Sequence, residues 1–215
     1  MVRVERIPAW VTGTNAYLVV GESGEGFLVD APPDPEAIGR HIADSGVAVT
    51  AILLTHGHVD HTGGSGKLAA GSGAIAYVHP DDDFLTLHPT DQLQLIFGYV
   101  PPGSYEVPER FEHLRHGQTL ELAEVSLEVR HTPGHTPGHC CFYWESEATM
   151  FTGDQLFAGS IGRFDLPGGD GPTLFRSMRD QVMTLDDGVR VLPGHGPETT
   201  IGKERATNPF RHEWT

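Results

Sequence analysis

The sequence predicts an α/β protein in which two β-sheets pack face to face with helices on the outside. Three observations carry this expectation. Apolar runs of strand length recur along the chain, several of them ended by Gly- or Pro-rich turns. Helical segments fall between them. Both halves follow one order: hairpin strands, a helix, then a strand that delivers a polar loop. With 215 residues the chain suits one layered domain over residues 1–215, large enough to bury roughly 70% of its unfolded surface without staples. An apolar fraction of 38%, with 27 Gly and 16 Pro, fits a loop-rich enzyme better than a helical bundle.

Residues 1–7 alternate like a strand and lack the apolar stretch of a signal peptide. Residues 15–20 and 26–30 form a hairpin around the turn Gly21-Glu22-Ser23-Gly24. Ala31-Pro32-Pro33-Asp34-Pro35 ends that strand, and residues 36–45 form a short helix stopped by Gly46. Residues 49–54 read as a buried strand, followed by a helix over 61–70 and a strand over 74–78. Residues 81–85 open another helix, and 98–105 read as a mobile surface loop or flap. In the second half, 119–124 pair with 125–131 and 140–145 with 149–152; residues 173–184 supply a helix and 189–193 a final buried strand.

Cys140 and Cys141 are neighbours on a strand, so they point to opposite faces and do not pair. Two free cysteines fit a reducing, cytoplasmic compartment. No stretch approaches the apolar length of a membrane span. Lys and Arg number 14 against 29 Asp and Glu, a formal charge of −15. That charge repels phosphate backbones and argues against a nucleic-acid partner. The 13 histidines nearly equal the 14 Lys and Arg, a first hint of metal.

The densest chemistry lies in Thr55-His56-Gly57-His58-Val59-Asp60-His61, directly after the apolar run 49–54. His56 and His58 are two apart, so they project to the same side of an extended segment. Asp60 and His61 follow the bend and face a second point, so one loop can feed two metals. Four such side chains in six positions make poor core material, because burying them without strong partners is costly. Three further candidates stand just past β runs, flanked by Gly or Pro: His135, Asp154 and His195.

This pattern, His56-x-His58-x-Asp60-His61 with His135, Asp154 and His195, resembles the metallo-β-lactamase superfamily over nearly the whole chain. The resemblance implies a four-layer αβ/βα sandwich of two mixed β-sheets with a dinuclear site at one edge. It places His56, His58 and His135 on a first metal, Asp60, His61 and His195 on a second, and Asp154 across both. His131 and His139 match no ligand position and are taken as turn residues or supports behind the ligands. Two divalent ions are implied, zinc first, with iron or manganese also suited to these ligands. Cations about 3.5–4 Å apart share a water and stabilise attacking and leaving atoms. The implied chemistry is attack of a metal-bridging hydroxide, with Asp60 and Asp154 at the reaction centre, on a carbonyl whose oxyanion the metals stabilise. No G-x-S-x-G segment offers a serine nucleophile.

Within the superfamily, Asp154 points to thioesterase, lactonase, oxygenase and nuclease branches rather than to true β-lactamases, and the charge disfavours nucleases. The segment over residues 156–170 is similar to the glyoxalase II (hydroxyacylglutathione hydrolase) group, especially its short bacterial members. Arg163 stands where longer members place a glutathione-contacting Lys, and is the candidate substrate-binding cation; its alternative is an ion pair with Asp165 or Asp170. Asp165 departs from the Tyr of those members, and the chain ends soon after His195, without their extra helical region. The resemblance thus implies a dinuclear metal hydrolase cleaving 2-hydroxyacyl thioesters such as S-lactoylglutathione. Its expected partner is a small-molecule thioester, with no nucleic acid and no membrane, and the expected state is a monomer or small homo-oligomer. The alternatives are a mononuclear Fe(II) persulfide dioxygenase, in which two His and Asp154 hold iron, a lactonase, and a metal-holding protein without turnover.

Overall fold

In the computed structural model, which describes residues 1–214, the first half of the chain threads one sheet. Strands β1 (Arg3–Ala9), β2 (Thr14–Val20) and β3 (Glu25–Val29) form an antiparallel meander. Helix α1 (Pro35–Ser45) crosses to β4 (Ala48–Leu53), which pairs parallel to β3. Asp34 caps α1 by accepting from the Ala37 N–H, and Gly46 ends it in the left-handed conformation. The short helix α2 (Val59–Thr62) and α3 (Ser65–Ser72) lead to β5 (Ile75–Val78), parallel to β4. Helices α4 (Asp83–Thr86) and α5 (Pro89–Phe97) precede β6 (Phe111–His113), the parallel edge strand.

The second half builds the other sheet from β7 (Thr119–Leu122), β8 (Val125–His131), β9 (Cys140–Trp144) and β10 (Thr149–Gly153), all antiparallel. A small hairpin, β11 (Leu156–Phe157) and β12 (Ser160–Ile161), stands apart. Helix α6 (Gly171–Ser177) crosses to β13 (Arg190–Pro193), parallel to β10, and the edge is closed by β14 (Thr199–Thr200). Helix α7 (Ile201–Thr207) follows. The sheet orders are β1-β2-β3-β4-β5-β6 and β14-β13-β10-β9-β8-β7, so both sheets are mixed.

Tyr17, Phe27, Phe142 and Phe151 fill the space between the sheets. Ile38 of α1 and Leu68 of α3 pack on the outer face of the first sheet, and Leu174, Met178 and Ile201 on that of the second. The result is the four-layer αβ/βα sandwich. Cys140 faces the inter-sheet core and Cys141 the outer one; both are buried and free.

Local departures from expectation have clear causes. The helix expected over 61–70 is split at Gly63-Gly64, because the Gly64 N–H leaves the helix to reach the Ala31 carbonyl at 2.8 Å. The helix expected over 173–184 becomes α6 plus a wider π turn, Met178–Val182, in which the Met183 N–H reaches the Met178 carbonyl. The strand over 119–124 stops at Leu122, since Ala123 and Glu124 both take positive φ, 48° and 61°, in a two-residue hairpin turn. The segment over 98–105 is pinned rather than free: Trp10 Nε1 donates to the Pro102 carbonyl at 2.7 Å, and the Trp10 ring packs edge-on against Phe97 and Tyr105. Helices α5 and α7 and the short strands β6, β11, β12 and β14 are additions to the expected elements. Among the described residues, no helix is long and apolar enough to cross a membrane.

Candidate metal centre

Four loops meet at one edge of the sandwich, each leaving the C-terminal end of a strand: after β4, β8, β10 and β13. Backbone bonds cross between the two sheets there. The Cys140 N–H donates to the Thr55 carbonyl at 2.7 Å, and the Asn15 N–H to that of Gly194 at 2.7 Å. Tyr17 Oη and Asn15 Nδ2 both donate to the Pro193 carbonyl, at 2.8 and 2.9 Å. The loops are therefore fixed to each other and not only to their own strands.

All seven residues singled out as candidate ligands come together. His56 Nε2, His58 Nδ1 and His135 Nε2 form a triangle with sides of 3.1, 2.9 and 3.1 Å. Beside it, Asp60 Oδ2 lies 3.3 Å from His195 Nε2, which lies 3.3 Å from His61 Nε2. Asp154 touches both groups: Oδ1 is 3.2 Å from His61 Nε2, and Oδ2 is 3.6 Å from both His135 Nε2 and His195 Nε2. Five of the seven are buried, Asp60 is half-buried, and His195 is the most open.

The donor chemistry fits cations at both points. A carboxylate accepts from His61 Nδ1 (Asp30 Oδ2, 2.7 Å) and a carbonyl from His135 Nδ1 (Arg163, 2.6 Å), so both rings carry their proton there and turn a lone pair inward. His56 does the same through Thr55 Oγ1 at 3.0 Å, a hydroxyl whose own proton goes to Asp30. The His61 lone pair thus faces Asp154 Oδ1, a buried oxygen with no hydrogen-bond donor of its own. Two acceptors at that separation call for a cation between them. Zinc–nitrogen bonds of about 2.0–2.1 Å in tetrahedral geometry space imidazole nitrogens by about 3.3 Å, close to the triangle of His56, His58 and His135.

Burial first, then the neighbouring imidazoles, hold His56 well below the ordinary histidine range and push His58 down to about 3. Burial also lowers His135, against the pull of Asp154. These rings are neutral, the form a metal ligand must take. Burial opposes ionisation of Asp60 and Asp154, but the facing imidazoles, His61 above all, bring Asp60 down to about 2 and lower Asp154 further. His61 and His195 are held up despite burial by the surrounding carboxylates, Asp154 foremost. A metal cation bound there would neutralise the same carboxylate cluster and displace the protons of those two rings.

Two glycines permit the convergence. A Cβ on Gly57 would meet Leu85 Cβ at 2.7 Å and the Asp82 carbonyl oxygen at 3.0 Å, so only Gly lets the ligand loop lie against α4. A Cβ on Gly194 would sit 2.3 Å from Asp154 Oδ1 and 2.6 Å from His61 Cε1.

Several supports escaped the sequence reading. Asp30 is buried at a left-handed φ of 61°, a strained conformation for a non-glycine, and binds Thr55 and His61. Asp82, fully buried, accepts from the Gly57 N–H at 2.7 Å, Thr136 Oγ1 at 2.6 Å and the Gly138 N–H at 2.6 Å, tying the first ligand loop to the His135 loop. Gln92 ties α5 to the same loop by accepting from the Val59 N–H and donating to the Gly57 carbonyl. A sequence signal existed for Asp30, an acidic residue closing an apolar strand as Asp154 does. None separates Asp82 from Asp81 and Asp83.

His139 and His131 fill supporting places. His139 Nε2 accepts from the Asp154 N–H at 3.1 Å, and its ring is held neutral by burial. His131 stacks on His79 with ring centroids 4.0 Å apart and planes within 7°, and donates from Nε2 to the Pro137 carbonyl. Asp81 lies nearby, but parallel rings cannot aim in-plane lone pairs at one ion. The Arg163 guanidinium forms a forked pair with Asp165, at 2.7 and 2.9 Å, on the surface, and its backbone carbonyl orients His135.

The family model of the metallo-beta-lactamase superfamily matches residues 9–195. The hydroxyacylglutathione hydrolase GloC of Haemophilus influenzae is 33% identical over 207 residues, covering 96% of this chain and 97% of its own. Among solved structures, the BLEG-1 B3 metallo-beta-lactamase is similar with a TM-score of 0.89 and 33% identity, over 97% of this chain and 99% of that one. TTHA1623 in a di-iron-bound form gives a TM-score of 0.86 and 38% identity, over 96% of this chain and 100% of that one.

Proposed function

Because the chain belongs to the metallo-beta-lactamase superfamily and joins two imidazole clusters through one buried carboxylate, we propose that it is a dinuclear metal-dependent thioesterase. Its proposed substrates are 2-hydroxyacyl thioesters of the S-lactoylglutathione kind. The observation that carries the reading is Asp154, whose two oxygens reach both clusters while one of them has no donor. The thioester substrate is supported by the hydroxyacylglutathione hydrolase relative. The completeness of the second group, Asp60, His61 and His195, favours two ions over a mononuclear iron site.

His56, His58 and His135 would hold one ion and Asp60, His61 and His195 the other, with Asp154 between them. Bound divalent cations supply a water acidified into the neutral range and a Lewis acid for the carbonyl oxygen. The chain's own part is orientation. Asp30 and the Arg163 carbonyl fix the tautomers of His61 and His135, and Thr55 that of His56. Asp60, which accepts from Thr14 Oγ1 at 3.2 Å, and Asp154 bring the negative charges that balance the cations. The net hydrolysis would add the oxygen of water to the acyl carbon and break the C–S bond, the sulfur leaving with the electron pair and the protons of water passing to solvent. A thiol of ordinary pKa near 8.5 departs as thiolate, so no protonating residue is required. Zinc is the first choice of metal, and the di-iron form of TTHA1623 brings in iron. The −15 charge supports a small-molecule rather than a nucleic-acid partner, and the two free cysteines support a reducing compartment.

The deciding experiment is elemental analysis of protein purified without added metal, with hydrolysis assays on the same sample. Two ions per chain and turnover of S-lactoylglutathione are expected. A β-lactam belongs in the panel because of the BLEG-1 likeness; lactam hydrolysis without thioester hydrolysis would overturn the proposal.

A further inference from the structure

Beside the metal centre lies an apolar slot that the mechanism does not use. It has a volume of about 180 Å³; buried His58 lines it, and Phe84, Leu85, Leu95, Ile96, Leu166 and Pro167 form its walls. Two of these walls are apolar surface left open to water: Phe84 is 49% and Leu95 62% exposed. Large apolar side chains gathered at a mouth of this kind mark a place where something apolar binds. The slot is also built as one piece with the ligand loop. Gln92, buried beneath it, bonds to Val59, Gly57 and Leu85 at 3.1, 3.0 and 2.9 Å, and Leu85 lies against Gly57. Its far wall comes from Leu166 and Pro167, in the segment that follows the Arg163–Asp165 pair.

We propose that this slot receives the apolar substituent of the acyl group, so that among thioester substrates those whose acyl chain carries a branched, aromatic or extended hydrocarbon group larger than that of lactate are preferred. This rests on the thioesterase reading of the neighbouring centre. Because His58, a candidate ligand, lines the slot, an occupant that reaches it lies within a few bonds of the reacting carbonyl. That leaves the acyl side or the sulfur side. A glutathione-like thiol is a charged peptide and gains nothing from walls of Leu, Ile and Phe. The one cation near this rim that resemblance offered to such a thiol, Arg163, is already forked onto Asp165. The slot therefore falls to the acyl substituent. Its size matches: a cavity of about this volume lined by Leu, Ile and Phe holds a benzene ring. His88 and Asp91 at the same rim leave room for polar groups only at the outer end.

The test is a thioester series on one small thiol, N-acetylcysteamine, carrying acetyl, lactoyl, butanoyl, hexanoyl and phenylacetyl groups, with a second series that varies the thiol at constant acyl group. With the metal-loaded enzyme, kcat/KM should rise about two- to fourfold per added methylene up to hexanoyl, with phenylacetyl at or near the top. The thiol series should change it little. Leu95→Trp, at an exposed position where it should not disturb folding, should move the optimum to shorter acyl groups, a change that general damage does not produce. In parallel, calorimetry should find hexanoate bound more tightly than lactate, with Leu95→Trp abolishing the preference. A flat or falling acyl series with thioester turnover intact would overturn the slot and leave the thioesterase reading standing. If no thioester is turned over, that reading fails, and the slot is judged by hexanoate binding alone: preference for hexanoate that Leu95→Trp abolishes upholds it, and equal binding of the two acids overturns it.

Discussion

Asp82→Asn tests whether the metal centre is held together from behind. Asp82 touches none of the seven candidate ligands through its carboxylate, yet its two oxygens accept three bonds, from the Gly57 N–H, Thr136 Oγ1 and the Gly138 N–H. All three donors belong to the loops that carry His56, His58 and His135. An amide has one acceptor oxygen. If it serves Gly57 and Thr136, the amide nitrogen turns its hydrogens against the Gly138 N–H. One bond to a charged group, about 1.5–3 kcal/mol, is lost outright, and two others weaken to neutral strength, about 0.5–1 kcal/mol each. Against this, burial holds the Asp82 carboxyl above its ordinary range, so removing the charge recovers part of its desolvation cost. The net expectation is about 2–4 kcal/mol, read as a urea midpoint shift on the metal-free protein, or as a fall in Tm of about 5–15 °C for a chain of this size. Thioester kcat/KM of the loaded variant should fall by about 10- to 100-fold, because ligand placement on the ångström scale governs the rate. The neighbouring exposed Asp81→Asn should stay within about 0.5 kcal/mol. Equal effects of the two substitutions, or an Asp82→Asn variant as stable as the parent, would refute the idea that this carboxylate joins the loops.

Four further outcomes are expected. Stripping with a chelator should abolish hydrolysis and lower Tm, and readding zinc should restore both, because an ion that binds only the folded state stabilises it by mass action; full activity after stripping would sink the metal mechanism. Asp154→Ala should reduce metal content from two ions toward one and kcat/KM by at least about 100-fold, as seen by elemental analysis of the purified variant. Gly194→Ala, whose Cβ would sit 2.3 Å from Asp154 Oδ1, should cost about 1–3 kcal/mol and weaken binding of the ion assigned to His61 and His195, measured by metal titration. Burial pushes the Cys141 thiol up to about 12 and Cys140 well above its ordinary range, so neither should react with iodoacetamide between pH 7 and 9 until denaturant is added. The same shift has a sign for stability. Above the ordinary thiol pKa the unfolded chain sheds protons that the folded chain keeps, so these thiols lower stability as pH rises from about 8.5 toward 12, by up to about 1.4 kcal/mol per unit each.

Much of this architecture was legible because strand signals are local. The runs that became β2, β3, β4 and β13 are apolar and of strand length, and those of β2, β3 and β13 are closed by Gly, Pro or Asp, so burial could be read for all four and the ends for three. The ligands were legible for a related reason: His56, His135, Asp154 and His195 all follow such runs, and polar groups there have no structural use unless something binds them. What could not be read is what depends on contacts distant in sequence. The break at Gly63-Gly64 requires the Ala31 carbonyl, which only the fold brings near. The fixing of residues 98–105 requires Trp10, which is about ninety positions away in the chain. Asp82 is surrounded by two other aspartates, and which of the three turns inward is decided by the helix that starts there. Arg163 shows the opposite case: its pairing with Asp165, two residues away, was foreseeable from spacing, while the use of its carbonyl by His135 was not.

The placement of the site follows from the mixed character of the sheets. Strands β3 and β4 run parallel, as do β10 and β13, so β3, β4, β10 and β13 send their C-terminal ends to the same edge. Each of those ends carries a carboxylate or imidazole used at the centre: Asp30 after β3, His56 after β4, Asp154 after β10 and His195 after β13. A parallel pair also needs a long crossover, and α1, α6 and the outer helical layers supply it away from that edge. The edge is thereby left to short loops whose positions are set by the strands. This explains why Asp30, which binds no metal in the proposed arrangement, can act on the site at all. Sitting one strand over from His56, it reaches both Thr55 and His61, and so sets the proton positions of one imidazole in each cluster. A substitution there should therefore disturb both ions at once, whereas loss of the Arg163 carbonyl contact should disturb only the ion held by His135.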